Sequence, residues 1–453
     1  MSSLSRPFSA SEIIDQLPLS RFQIWTIALC GAVLILDGFD AQIAGTLAPA
    51  ISESLRIPLK AFGPILSASL VGLMIGAMAV GPIADRWGRK WPVVISTITF
   101  GIFALFTGRA VSFNQLLLFR FLTGLGLGGA MPNVVALAAE YSPNRLLRSF
   151  VAMLFAGMPL GGVLCGMTGS ALIPRWGWRP VFYVGGLLPF TLSLLLVLML
   201  PESVRFLTIQ GRSAQKISQI LHRISPDLAE KGFGAESAWH EPHRGQLVKH
   251  LFTECRASGT ILLWVQFFMN LLLLYFNISW LPALLRQAGM SVHAGVLAIS
   301  LFSFGGVLGC VVQGPAMRTC GPQVVLLVEF GLSALFTWLM SLAAGSFSLV
   351  VPVALVLGFC VTGAQGAINA LAAGFYPTSM RSTGVGWALG IGRVGSIVGP
   401  LLTGMLLSAG WSAPQVFRAG TIPALGAAVA VLLANRLKGS ASAYRPEGGA
   451  AET

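Results

Sequence analysis

The sequence predicts an all-α membrane protein with twelve transmembrane helices in two pseudo-symmetric six-helix halves. Three observations predict this fold class: an apolar composition, twelve long apolar runs and an internal repeat. Of 453 residues, 55% are hydrophobic and 10% are charged, and the mean hydropathy is +0.78. Because a soluble domain carries about 25% charged residues, this composition excludes a water-soluble fold.

The twelve apolar runs are long enough to cross a hydrocarbon core of about 30 Å, which needs roughly 20 helical residues. We expect the longest runs to tilt or to extend beyond the lipid. The predicted helices are 22–46, 61–84, 91–109, 115–139, 149–172, 178–200, 257–286, 293–316, 322–344, 348–374, 382–409 and 413–437.

The basic residues predict which side of the membrane each loop faces. If the N-terminus is inside, 20 of the 29 Lys and Arg residues lie on the inner side, seven lie outside and two lie within helices. Short cytoplasmic loops hold an excess of positive charge, so both termini are predicted to be cytoplasmic. The net charge of +13 is therefore interpreted as a topology signal, and no nucleic-acid partner is expected.

The second half of the chain repeats landmarks of the first half at an offset of 233 or 234 residues. Gly81-Pro82 aligns with Gly314-Pro315, and Arg148-Ser149 aligns with Arg381-Ser382. A parallel six-plus-six repeat is typical of transporters whose cavity lies between two halves, although a duplicated bundle need not transport anything. The predicted segments are a cytoplasmic N-terminus at 1–21, helical bundles at 22–200 and 257–437, a linker at 201–256 and a cytoplasmic tail at 438–453.

Five ionisable residues fall within the predicted spanning helices, where a charge is costly unless it is paired or hydrated. Asp37 and Asp40 share a face of the first helix because they are three residues apart. Arg120, in the fourth helix, lies at about the same depth. We expect Arg120 to pair with one aspartate in one conformation and to release it in another, which would link the movement to proton uptake. The alternative is a static ion pair that fixes helix packing.

Arg393 in the eleventh helix is the predicted binding residue for a substrate anion. A guanidinium holds a carboxylate by two parallel hydrogen bonds, and Gly390, Gly392 and Gly395 leave room for a close approach. The alternative is an arginine that caps the carbonyls of a broken helix. Glu329, the fifth ionisable residue, has no repeat partner and no obvious cation, and it is interpreted as an interfacial residue. The alternative is a second proton site.

Other polar and aromatic residues complete the predicted substrate site. The offset of 233 puts Asn270 at the position equivalent to Asp37, so the second half keeps polarity there without a carboxylate. Aromatic side chains could stack on a ring-bearing substrate. The predicted substrate-binding set is Arg393, Arg120, Phe39, Asn270, Asn277, Trp280, Gln365, Asn369 and Trp387.

No metal or cofactor is expected. The linker histidines His222, His240, His243 and His250 match no compact metal-site spacing. Because the sequence contains no phosphate-binding glycine loop and no nucleophile elbow, we expect a secondary transporter rather than an enzyme. It is expected to act as a monomer in the bilayer.

The segment Gly81-Pro82-Ile83-Ala84-Asp85-Arg86-Trp87-Gly88-Arg89-Lys90 resembles the signature between the second and third helices of the major facilitator superfamily. Gly88 would allow a tight turn, and Asp85 could lie against a helix N-terminus of the other half in one conformation only. The residues expected to act in conformational gating are Gly81, Asp85, Arg86, Gly88, Arg89 and Arg381.

Within that superfamily the sequence is similar to the aromatic acid/proton symporters. The similarity rests on Asp37-Gly38-Phe39-Asp40, on Arg120 with the glycines that follow it, on Tyr376-Pro377 and the segment 381–387, and on Gly392-Arg393. It implies that the protein takes up benzoate-like, hydroxybenzoate-like or phenylpropionate-like acids with protons across a bacterial inner membrane. It also implies a functional set of Asp37, Asp40, Asp85, Arg120, Arg381 and Arg393.

An alternative function comes from Pro201-Glu202-Ser203-Val204-Arg205-Phe206, which resembles a motif of sugar porters. Two arginines and two aspartates within the membrane suit a carboxylate and a proton better than a neutral polyol. A drug/proton antiporter is a third interpretation, and a membrane protein that does not transport is a fourth.

Overall fold

The structure, a computed structural model, describes residues 19–209, 219–220, 222–224, 251–253, 256–376 and 380–443. Within these ranges twelve helices are long and apolar enough to cross a membrane, which confirms the predicted fold class. They are α1 (Arg21–Leu55), α2 (Phe62–Trp87), α3 (Lys90–Gly108), α4 (Phe113–Glu140), α5 (Asn144–Trp176), α6 (Arg179–Met199), α7 (Ala257–Gln287), α8 (Val292–Cys320), α9 (Pro322–Ala343), α10 (Phe347–Phe375), α11 (Arg381–Ser408) and α12 (Thr421–Ala443).

The internal repeat is visible in the backbone of the loops as well as in the sequence. Residues with positive φ end or follow three helices in each half, and each lies 233 residues from its counterpart. The pairs are Arg56 and Gly289, Gly88 and Gly321, and Gly177 and Gly410. Equivalent helices of the two halves therefore end with the same chain reversal, which a shared sequence offset alone does not require.

Close helix packing inside each half also follows the repeat. A Cβ atom at Gly72 of α2 would overlap the carbonyl oxygen of Phe121 in α4, and one at Gly305 of α8 would overlap that of Leu355 in α10. Without a hydrophobic driving force between helices in lipid, small residues that let backbones approach are a main source of association. These two helix pairs form the tightly packed cores of the halves.

The two halves meet through α1 with α7, α2 with α11 and α5 with α8. We call the face where α1 begins and α12 ends the terminus face. Three contacts between the halves lie in the part of the bundle away from this face: Arg286 with Glu53, Ser67 with the Ile397 carbonyl, and Ser303 with Gln42. The halves are thus joined at the opposite face.

Near the terminus face, α11 borders open space. Gly386 and Gly390 are exposed, and a Cβ atom at either would have nothing within 4 Å among the described residues. This side of α11 therefore packs against no described residue near the terminus face.

Three segments differ from the sequence-based boundaries. Helix α1 continues nine residues beyond the predicted 46, because the backbone stays helical past the apolar run and is capped at Arg56. The predicted helix 413–437 is interrupted at Gly420, between the short helix Ala413–Ala419 and α12. At the start of the predicted linker, the short helix Val204–Ile209 buries Val204 and Leu207 against the N-terminal half.

Candidate functional site

A buried ion pair connects α1 to α4. The Nη1 of Arg120 lies 3.0 Å from Oδ1 of Asp40, and Nη2 donates a 3.2 Å hydrogen bond to the Asp40 carbonyl oxygen. Both side chains are essentially inaccessible to solvent, at 1% and 0% exposure. Of the two aspartates on this face, the structure therefore pairs Asp40 with Arg120. The carboxylate binds Arg120 through one oxygen, because Arg120 Nε and Asp40 Oδ2 are buried and have no hydrogen-bond partner among the described residues.

Asp37, one helical turn before Asp40, has no such partner. It is 1% exposed, and neither carboxylate oxygen accepts a hydrogen bond from any described residue. The nearby charge of opposite sign is Arg393 in the other half, whose field acts on Asp37. An aspartate of the N-terminal half and an arginine of the C-terminal half thus interact electrostatically across the interface.

Arg393 reaches residues of both halves. Its Nη1 donates to the Tyr275 hydroxyl of α7 at 3.2 Å, and its Nη2 lies 3.5 Å from the Met131 sulfur of α4. The side chain is half-buried. Both hydrogen bonds go to side chains of neighbouring helices rather than to the carbonyls of a broken helix.

Three amide side chains form a hydrogen-bonded chain between α7 and α10. Asn270 Nδ2 donates to Gln365 Oε1 at 2.9 Å, and Gln365 Nε2 donates to Asn369 Oδ1 at 3.3 Å. Asn270 is fully buried, whereas Gln365 and Asn369 are half-buried. We call these three residues the amide chain.

Other residues of the predicted substrate site lie in packing positions. Phe39 is buried, and its ring would meet a Cβ atom at Gly185 of α6. Trp280 is fully buried and donates from its indole to the Pro400 carbonyl of α11. Asn277 donates to the carbonyl oxygen of Leu273 in its own helix. The sequence placed these residues on cavity helices, but it did not show which side of each helix faces its neighbours.

Trp387 of α11 is placed differently. It is exposed and stacks on Trp264 of α7, with ring centroids 6.0 Å apart and an interplanar angle of 19°. This aromatic pair lies on α7 and α11, the helices that also carry Tyr275 and Arg393.

The structure encloses Glu329 between α8 and α10 rather than exposing it on the surface of the bundle. It is 5% exposed, and Gln313 Nε2 of α8 donates to its Oε2 at 3.0 Å. Its Oε1 lies 2.7 Å from the position that a Cβ atom at Gly363 of α10 would take. The glycine makes room for a carboxyl group inside the C-terminal half, which the apolar pattern of α9 did not reveal.

The predicted gating turn at the terminus face is built around a glutamate that the sequence analysis had not assigned to it. Gly88 has a φ of +94°, and the Glu202 carboxylate occupies the space that a Cβ atom there would need. Glu202 Oε1 accepts hydrogen bonds from the backbone N–H groups of Arg89 (2.7 Å) and Lys90 (3.1 Å). A carboxylate at a helix N-terminus is stabilised by the helix dipole, so Glu202 caps α3.

Two further contacts join this turn to the end of α4. Arg89 Nη1 forms a 2.7 Å ion pair with Oε1 of Glu140. The Tyr141 hydroxyl donates to the Glu202 carbonyl oxygen at 2.8 Å, and burial raises the pKa of Tyr141 well above its usual range, so it acts as a neutral donor. The sequence held one indication of this cluster: Glu140 and Glu202 are acidic residues next to inner segments that are otherwise rich in Lys and Arg.

Gly81, Arg86, Asp85 and Arg381 are the other residues predicted to act in gating. Gly81 lies within α2 with no described atom near its Cβ position, and Arg86 is exposed. The side chains of Asp85 and Arg381 lie outside the described part of the structure, as do the linker histidines His240, His243 and His250.

An ion pair at the opposite face was also missed by the sequence analysis. Arg286, at the end of α7, donates from Nε (3.0 Å) and Nη2 (2.8 Å) to Oε1 of Glu53, near the end of α1. The two residues are 233 positions apart, which is the repeat offset. Residues at equivalent repeat positions can meet at the pseudo-two-fold axis. The opposite charges of Glu53 and Arg286 at one repeat position could therefore have predicted this ion pair.

Comparisons with known proteins agree with this architecture. The sequence profile of the Major Facilitator Superfamily matches residues 30–388 and 263–450. A structure of the xylose transporter XylE from E. coli, in a partially occluded inward open conformation, superposes with a TM-score of 0.72 over 94% of this chain and 100% of that one. At 15% identity, this likeness shows the fold alone.

Two relatives match almost the whole chain. The 4-hydroxybenzoate transporter PcaK of Pseudomonas aeruginosa is 39% identical over 93% of this chain and 94% of its own length. The benzoate transport protein of Acinetobacter baylyi is 34% identical over 98% and 95%. With the family profile, the fold and these relatives in agreement, the chain belongs to the Major Facilitator Superfamily.

Proposed function

We propose that the protein takes up a small aromatic carboxylate together with protons across the bacterial inner membrane, with the terminus face in the cytoplasm. The observation that carries the proposal is the arrangement of Asp37 and Arg393. A buried carboxyl that accepts no hydrogen bond from a described residue lies in the field of a guanidinium that contacts side chains of both halves. The names of the relatives support an aromatic acid as the substrate.

The proposed coupling follows from competition for one cation. When Asp37 is ionised, its charge neutralises Arg393 and weakens the attraction of Arg393 for a substrate carboxylate. A proton on Asp37 removes this competition, and burial of an unpaired carboxylate is itself costly. Substrate binding at Arg393 and proton binding at Asp37 therefore favour each other, as symport requires.

Proton coupling offsets the electrical cost of moving an anion into the cell. An anion that enters against a membrane potential of 100 mV, inside negative, faces about 2.3 kcal/mol. A co-transported proton cancels this electrical cost, and the pH gradient then drives accumulation.

The test is uptake into proteoliposomes of labelled benzoate, 4-hydroxybenzoate and a hexose, with and without a pH gradient. We expect counterflow of the aromatic acids and their accumulation when the gradient is imposed. Asp37→Asn is expected to retain counterflow and to lose accumulation, because the amide cannot exchange a proton. Exchange of the hexose but of neither acid would overturn the proposal in favour of a sugar porter.

Glu329→Gln is the matched control. Glu329 is also a buried carboxyl within a spanning helix, but it is bonded to Gln313 inside the C-terminal half. It should accumulate substrate as the wild type does. If Asp37→Asn accumulates as well as this control, Asp37 is not the proton-coupling residue.

A further inference from the structure

The amide chain contains a buried acceptor that the protein does not satisfy. Asn270 uses its Nδ2 to bind Gln365, but its carbonyl oxygen Oδ1 is buried and has no partner among the described residues. A buried acceptor without a hydrogen bond costs free energy that any suitably placed donor recovers. The site is therefore selective for a ligand that brings a donor.

A ring hydroxyl is the group that this acceptor suits. A carboxylate has only acceptor atoms and would be repelled by Oδ1, whereas a phenolic hydroxyl both donates and accepts. If the amides were turned by 180°, Asn270 would present its NH₂ group instead, and the hydroxyl would still bind. Binding of a hydroxyl therefore does not depend on the orientation of the amide, whereas the exclusion of a carboxylate requires Oδ1 to be the free atom.

The amide chain lies at the depth of the proposed anion site. A Cβ atom at Gly392 of α11 would meet Leu271 and Phe267 of α7. Leu271 follows Asn270 in the sequence, and Phe267 lies about one helical turn before it. Arg393 is therefore level with Asn270 in the bundle. Because Gln365 and Asn369 are half-buried, the amide chain runs from open space to the interior of the C-terminal half.

We infer that Asn270, supported by Gln365, determines specificity for aromatic acids that carry a ring hydroxyl. This inference rests on the proposed function, since it assumes that the carboxylate binds at Arg393. With the carboxylate held there, the far side of the ring is directed to Asn270, and its hydroxyl satisfies Oδ1. An unsubstituted ring leaves Oδ1 unsatisfied and binds more weakly.

The test compares KM for 4-hydroxybenzoate, 3-hydroxybenzoate and benzoate in proteoliposomes. The wild type should show a KM for its preferred hydroxybenzoate at least about tenfold below that for benzoate, the scale expected of one unsatisfied buried acceptor. Asn270→Leu, which is similar in size and apolar, should bring the two KM values within about threefold of each other. It should do so by weakening hydroxybenzoate binding while benzoate uptake persists.

Asn133→Leu is the matched control. Asn133 is a buried asparagine of α4 that donates to the Gly129 carbonyl oxygen of its own helix, and the ratio of KM values should not change in this variant. If Asn270→Leu does not fold, Gln365→Met at the half-buried end of the amide chain should reduce the ratio in the same direction.

The outcomes separate the two proposals. If the wild type transports benzoate and the hydroxybenzoates with equal KM, or if both variants keep the wild-type ratio, the inference is wrong while aromatic acid uptake stands. If no aromatic acid is transported at all, the proposed function fails and the inference fails with it.

Discussion

Replacing Asp40 tests whether its pairing with Arg120 is part of the transport cycle. Asp40→Asn leaves a guanidinium at 1% exposure with no carboxylate bonded to it. Removing one partner of a buried ion pair costs about 3–5 kcal/mol. Since the pair uses one carboxylate oxygen and leaves Arg120 Nε unsatisfied, we expect a loss near the lower end, about 3 kcal/mol, or two powers of ten in an equilibrium constant.

The double variant Asp40→Leu/Arg120→Met separates stability from coupling. Replacing both members of a buried pair by apolar residues is often neutral or stabilising, so the free energy of unfolding should return to within about 1 kcal/mol of the wild type. If the pair opens and closes during transport, accumulation driven by a pH gradient should be absent in both the single and the double variant. Equilibrium unfolding in detergent and uptake into proteoliposomes measure the two quantities on the same preparations.

Two results would refute this reasoning. A double variant that still accumulates substrate against a gradient would show that the pair only fixes the packing of α1 on α4. A single Asp40→Asn variant as stable as the wild type would show that Arg120 does not depend on this carboxylate.

Two further predictions concern the ends of the bundle. Gly88→Ala should destabilise the protein by about 1–3 kcal/mol in a thermal melt, because the backbone conformation at Gly88 is nearly restricted to glycine and a Cβ atom would displace Glu202. Gly81→Ala is the control: it changes an open helical position and should be neutral or slightly stabilising in the same assay. Glu53→Arg should increase the fraction of molecules that are open at the opposite face by roughly fivefold, because an exposed ion pair contributes at most about 1 kcal/mol. Cysteine labelling from that face measures this fraction. Adding Arg286→Glu should restore the distribution, and failure of this swap to do so would argue against the ion pair as a latch.

Sequence reasoning located the charged residues of the site because lipid makes such residues conspicuous. Asp37, Asp40, Arg120 and Arg393 stand out in any apolar helix, since each is costly there without a function or a partner. It could not decide which aspartate pairs with Arg120, because both share a face of α1 and differ only by one helical turn. In the structure Arg120 Nη1 lies 3.0 Å from Asp40 Oδ1, which identifies Asp40 as the paired aspartate.

Aromatic and amide residues were harder to assign, because they are common in packed helices as well as in binding sites. Trp280 and Asn270 lie ten residues apart on α7, and both were predicted to bind substrate. The structure bonds Trp280 to the backbone of α11 and Asn270 to a side chain of α10. Such partners depend on how α7 is rotated within the bundle, which helical periodicity leaves undetermined when a helix is apolar on nearly every side.

The sequence by itself determined that this protein is a twelve-helix membrane protein built from two related halves. Hydrocarbon thickness sets helix length and the cost of charge in lipid restricts where polar residues occur, so both constraints appear directly in the order of residues. Only the tertiary structure decided which polar groups meet. The contacts of Arg120 with Asp40, of Arg393 with Tyr275 and of Asn270 with Gln365 join helices far apart in sequence. Their partners are set by close packing between helices that no local pattern encodes.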